Sequence, residues 1–131
     1  MRFFAQRFIF CLMATCVALA MGCSNQADNA EKLVGTWQIS LGIAAGTTTF
    51  SEDFTFSANF ISLLGSGETT GTWKIKDDLL ITVIKTDSRD PRNVGKEGIS
   101  RIVEINDSSM IMQGQEDDGE WGQRQEWKRI K

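Results

Sequence analysis

The chain has 131 residues with 14 Lys+Arg against 17 Asp+Glu, a formal charge of −3, and no His or Tyr. Its three cysteines all fall within the first 23 residues. The missing His excludes Ser-His-Asp and Cys-His catalysis and any His-based metal site, while the acidic balance argues against nucleic-acid binding.

Arg2 and Arg7 precede an uncharged apolar run, residues 8–21. This run is long enough for an export signal and shorter than the about 20 residues that span a membrane. It ends at Gly22-Cys23, followed by the polar stretch 24–29. Two cleavages compete. One cuts before Cys23, reading Ala20-Met21-Gly22-Cys23 as a lipobox; the other cuts after Ala18-Leu19-Ala20, a small-x-small site. The first resembles bacterial lipoproteins and implies a lipidated Cys23. Cys23 is also the one cysteine that would remain in an exported chain, and a lone thiol is unusual in an oxidising compartment. The organisation expected is a lipoprotein signal peptide at 1–22, a tether at 23–30 and one domain at 31–131. The chain after residue 22 carries 12 basic and 17 acidic residues, a charge of −5. Membrane attachment is therefore expected from the lipid and not from a basic surface. Ser24, following the cysteine, implies sorting to the outer membrane, facing the periplasm, in lipoproteins of the enterobacterial type.

Residues 30–34 can form one helical turn. From Gly35 onward apolar and polar residues alternate in short runs broken by Gly, Asn, Asp and Ser, which is a β pattern. The alternation predicts eight strands: 36–41, 47–56, 58–64, 68–76, 79–85, 99–105, 109–113 and 120–130. Asp77-Asp78, Asn106-Asp107 and Asp118-Gly119 read as hairpin turns. Consecutive strands with short turns predict an all-β, up-and-down meander, and closure into a barrel removes its edges.

Gly35-Thr36-Trp37-Gln38-Ile39 and Gly71-Thr72-Trp73-Lys74-Ile75 share the pattern GTWxI. Glycine permits a close approach at a strand start, and the Trp turns inward. Packing alone can account for both copies. The first copy resembles the Gly-x-Trp signature of lipocalins and their bacterial lipocalin-like relatives. That resemblance implies a barrel closed at one end by Gly35 and Trp37, with an arginine of the last strand stacked across the indole; Arg129, which shares a face with Trp127, matches that role best, and Arg124 is the other candidate. It also implies a small apolar ligand, for which Phe54, Phe56, Phe60 and Trp73 are the expected lining. The chain departs from classical lipocalins in lacking their disulfide and their C-terminal helix.

The long connection 86–98 holds the single proline and mixed charges. Long loops at a barrel mouth often carry recognition, so Arg89 and Arg92 are the expected partner contacts. The acidic run 116–120 does not follow a calcium-loop spacing and reads as a solvated tip. No catalytic residue, metal or cofactor is expected. Two functions remain open: a non-enzymatic, lipid-anchored barrel binding a small apolar molecule or lipid, or an envelope interaction protein with a filled barrel, acting as an accessory subunit or an inhibitor of an extracytoplasmic enzyme.

Overall fold

A computed structural model describes residues 28–131. The signal segment, Cys23 and residues 24–27 lie outside the described residues. Eight antiparallel strands follow in chain order: β1 (Gly35–Leu41), β2 (Ala44–Phe50), β3 (Thr55–Ser62), β4 (Gly65–Lys76), β5 (Leu79–Asp87), β6 (Glu97–Ile105), β7 (Ser109–Gly114) and β8 (Gln125–Arg129). Each pairs with the next, and β8 returns to β1 through Trp37↔Arg129 and Gln38↔Lys128, closing the barrel. The up-and-down meander is the architecture that the alternation of short runs and turns predicts.

The meander gives the barrel two ends. One carries the helical residues 28–33 and the turns at 51–54, 77–78 and 106–108. The other carries the turns at 42–43 and 63–64 and the long connections 88–96 and 115–124. Large apolar side chains concentrate toward the first end. Leu33, Trp37, Phe50, Phe56, Trp73, Leu80, Ile102, Met110 and Met112 form one buried cluster. Burying one indole removes about 200 Å² from water and stabilises by roughly 5 kcal/mol before entropy is counted.

Both GTWxI copies are built into this end. The Trp37 indole N–H donates to the Leu33 carbonyl at 2.8 Å, and that of Trp73 donates to the Ser51 carbonyl at 3.2 Å. Each buried donor is thus satisfied by the backbone of the segment that covers it. Residues 28–30, expected in the tether, are helical, and Ala30 packs against the core.

Several strand limits differ from the sequence pattern. The expected strand 47–56 is two strands joined by a turn at 51–54. Asp53 holds this turn by accepting from the Thr55 N–H and hydroxyl, at 3.1 and 2.6 Å. Phe54 takes a positive φ of 64° there, a conformation rare outside Gly and Asn. The expected strand 58–64 stops at Ser62, and Leu63-Leu64 form the next turn. The last strand is 125–129, not 120–130, because Trp121 forms only an isolated bridge to Gln115.

Candidate functional site

Alternation along the strands decides what fills the barrel. Toward the closed end the inward positions carry Trp37, Phe50, Phe56 and Trp73, all buried. Toward the open end the same faces carry Gly46 and Thr48 on β2, Ala58 on β3, and Gly67 and Thr69 on β4. These residues are too small to meet across the barrel. They leave a cup of about 240 Å³, walled also by Ile39, Phe60 and Trp127. Small barrels are ordinarily filled by side chains, so a run of small inward residues at one end is a departure from that rule. Trp127 Nε1–H, on the wall strand β8, is buried with no acceptor among the described residues.

Arg89 reaches over this cup from the β5–β6 connection. Its guanidinium carbon lies 5.1 Å from the Phe60 ring centre. Its stem occupies the space that a side chain at position 67 would take, since a Cβ on Gly67 would overlap Arg89 Cγ and Cδ. The connection itself is organised by carboxylates. Asp87 accepts from Asn93 Nδ2 at 2.8 Å and from the backbone N–H groups of Arg89 and Asp90. These hydrogen bonds, the Asn93 one first, hold its carboxyl below the usual range. Arg92 is turned away from the cup and binds Asp90 through Nε and Nη2 at 2.9 and 3.1 Å. This pairing lowers the Asp90 carboxyl and raises the Arg92 guanidinium. The two arginines that the sequence groups together therefore occupy different settings.

The four aromatic residues expected to line one site are divided among three places. Phe60 walls the cup. Phe56 lies in the core. Phe54 is 53% exposed on its turn and covers Trp73 from outside, their ring centres 5.0 Å apart. Phe54 and Trp73 border a separate groove of about 450 Å³ beside Ala30, Glu31 and Val34 at the closed end.

Gly35, Trp37 and Arg129 meet at that closed end. Arg129 Cζ stands 4.3 Å from the Trp37 ring centre. Its Nη1 donates to the Val34 carbonyl at 2.7 Å and its Nη2 to that of Lys32. Gly35 has φ 140°, and a Cβ there would overlap Arg129 Nη1. The arrangement joins the last strand to the segment that enters the first.

Two further surfaces are present. The hairpin tips β1–β2 and β3–β4 expose Ile43, Ile61, Leu63 and Leu64, the last two at 82% and 99%. Residues 35–51 and 55–67, which include the tips of these hairpins, contain no charged side chain. Apolar patches of this kind mark contact surfaces. The acidic run 116–120 is an exposed loop beside a recess of about 660 Å³, bordered by Gly114, Glu116, Trp121 and Gly122. Arg101 stacks on Trp121 there at 4.6 Å. No group of three His, Cys, Asp or Glu side chains suited to a metal occurs among the described residues.

The small residues of the cup leave a trace in the sequence that becomes readable once the strand limits are known. Gly46, Ala58 and Gly67 share inward parity with the core residues of their strands, and a small residue at such a position predicts a void.

No protein-family model matches the chain. No curated protein matches it. Among solved structures it is similar to the crystal structure of an uncharacterised protein from Bacteroides eggerthii, with a TM-score of 0.52 and 15% identity. The match covers 75% of this chain and 99% of that one. At this identity the likeness extends to the fold.

Proposed function

We propose that this protein is a non-enzymatic, lipid-anchored component of the cell envelope that holds a small, largely apolar molecule in the cup of its barrel. One observation carries the ligand reading: the inward positions at the open end are Gly46, Ala58 and Gly67, where larger residues would fill the interior. A void lined by Ile39, Phe60 and Trp127 together with Thr48 and Thr69 suits a molecule with an apolar body and few polar atoms. The anchor and the location, the outer membrane facing the periplasm, are supported by residues 1–24: a charged start, an apolar run and a cysteine at its end. A binding role is supported by the lack of His in the chain and of Cys after position 23.

Native mass spectrometry of the mature protein, extracted from envelopes in mild detergent, tests both parts. The expected result is an acylated N-terminal Cys23 and a small-mass adduct. The Ala58→Leu variant fills the cup, loses the adduct and keeps or raises its Tm, as cavity filling commonly adds about 0.5–2 kcal/mol. A chain beginning at Met21 removes the anchor. A wild-type protein without adduct removes the ligand.

A second reading, an envelope interaction module, is favoured by the uncharged tips with Ile43, Ile61, Leu63 and Leu64. On that reading, crosslinking in intact envelopes returns a partner that a Leu63→Ser, Leu64→Ser double variant loses and Ala58→Leu retains. Absence of any reproducible crosslink counts against it.

A further inference from the structure

We propose that the cup selects a small organic monoanion of roughly ten non-hydrogen atoms, its charged end paired with Arg89 and its body among Ile39, Ala58, Phe60 and Trp127. This rests on the reading of the cup as a ligand site and adds the charge and the size of the occupant.

The charge follows from Arg89. It is a cation on the wall of the cup, its stem seated against Gly67 and its head beside Phe60. No carboxylate lies within ion-pair distance of its guanidinium among the described residues, whereas Arg92, three positions on, is paired with Asp90. Asp87 is the acid close enough for its charge to be felt by Arg89. Its oxygens are engaged by Asn93 and by the backbone of the connection, so the guanidinium donors remain available. A planar fork of N–H donors at the rim of an apolar cavity fits a carboxylate or a similar oxyanion. The other polar side chains on the wall, Thr48, Thr69 and Gln125, are neutral and add hydrogen bonds without changing that preference.

The size follows from the volume. At the packing density of organic matter, about 240 Å³ accommodates roughly a dozen non-hydrogen atoms. A long-chain lipid exceeds this volume and would have to extend out of the open mouth.

Phenylacetate, its neutral counterpart phenylacetamide, and palmitate are suitable probes. Titration at low ionic strength is followed by NMR, with the Trp127 indole N–H as reporter in the cup. Phenylacetate is expected to bind about fivefold or more tighter than the amide, as a charge-assisted pair near the surface provides. Palmitate is expected to leave the cup signals unmoved. The preference for the acid should vanish in Arg89→Gln. It should also vanish in Gly67→Ala, where the new methyl displaces the Arg89 stem while the charge is kept. It should persist in Arg92→Gln. Equal binding of acid and amide, or a preference that survives Arg89→Gln, overturns the anion inference and leaves the ligand site standing. If neither small probe shifts the cup signals, the ligand reading falls with it.

Discussion

Gly71→Ala is expected to destabilise the barrel by about 3 kcal/mol or more, lowering Tm by roughly 15 °C, or to prevent folding altogether. Gly71 is buried on β4 at the register shift between Thr70 and Gly71. A Cβ there would overlap the Val83 carbonyl oxygen of β5 and approach Phe56 Cε1 to 2.8 Å. The first obstacle is the backbone of a paired strand, which can move only by breaking the ladder on either side. The second is a core ring held by Phe50 and its neighbours. Neither is the free end of a flexible side chain. Gly114→Ala is the matched comparison, since nothing lies within 4 Å of a Cβ at that position. Its effect is expected to stay below about 1 kcal/mol. Thermal unfolding of the two variants decides the matter: similar Tm values would show that the β4–β5 approach relaxes freely.

The repeat GTWxI thus has two different physical causes for its two glycines. Gly71 answers to a neighbouring strand, whereas Gly35 answers to a positive φ and to the guanidinium of Arg129. In both copies the tryptophan is buried with its N–H on a backbone carbonyl. The sequence shows the pattern because strand parity and a following indole are local properties. It does not show which neighbour requires the glycine, because that neighbour is 12 positions away for Gly71 and 94 for Arg129 and Gly35.

The same division runs through the candidate site. Strand parity places Phe56, Phe60 and Trp73 facing inward, and they do face inward. Parity carried Phe54 along with them because the run 47–56 contains no Gly, Pro or Asn, and its weaker breakers Ser51 and Asp53 lie between the apolar Phe50 and Phe54. The turn is made instead by Asp53 bonding to Thr55, with Phe54 accepting a positive φ. Leu63-Leu64 hides a turn for a related reason: the residue that permits it, Gly65 at φ 130°, follows the two leucines. Arg89 is the instructive case. Its charge and its loop were legible, and its contact with Gly67 was not, because Gly67 on sequence grounds is a strand-edge glycine. Only the β3–β4–β5 register brings the missing side chain under the arginine stem.

Arg129→Ala is expected to cost about 3 kcal/mol and to open the β1–β8 seam. The seam is short, with two register pairs, against seven between β1 and β2. Arg129 reinforces it from outside the ladder. Its guanidinium donates to the carbonyls of Lys32 and Val34 and stacks on Trp37, whose own N–H is tied to Leu33. A hydrogen bond from a charged group contributes about 1.5–3 kcal/mol, and a partly buried cation–π contact about 0.5–2. These gains share one side chain and do not add fully, and the buried Nε of the same group has no partner among the described residues, which subtracts from them. Alanine leaves the two carbonyls without donors and the indole without its cover. Hydrogen exchange locates the loss: amides of residues 36–38 and 128–130 are expected to exchange faster, while those of β3 and β4 keep their protection. Arg129→Lys retains the charge but has a single ammonium where the wild type uses a planar fork, so it should recover less than half of the lost stability. Full recovery by Lys would show that charge at the closed end suffices, and that the forked reach to two carbonyls does not hold the barrel shut.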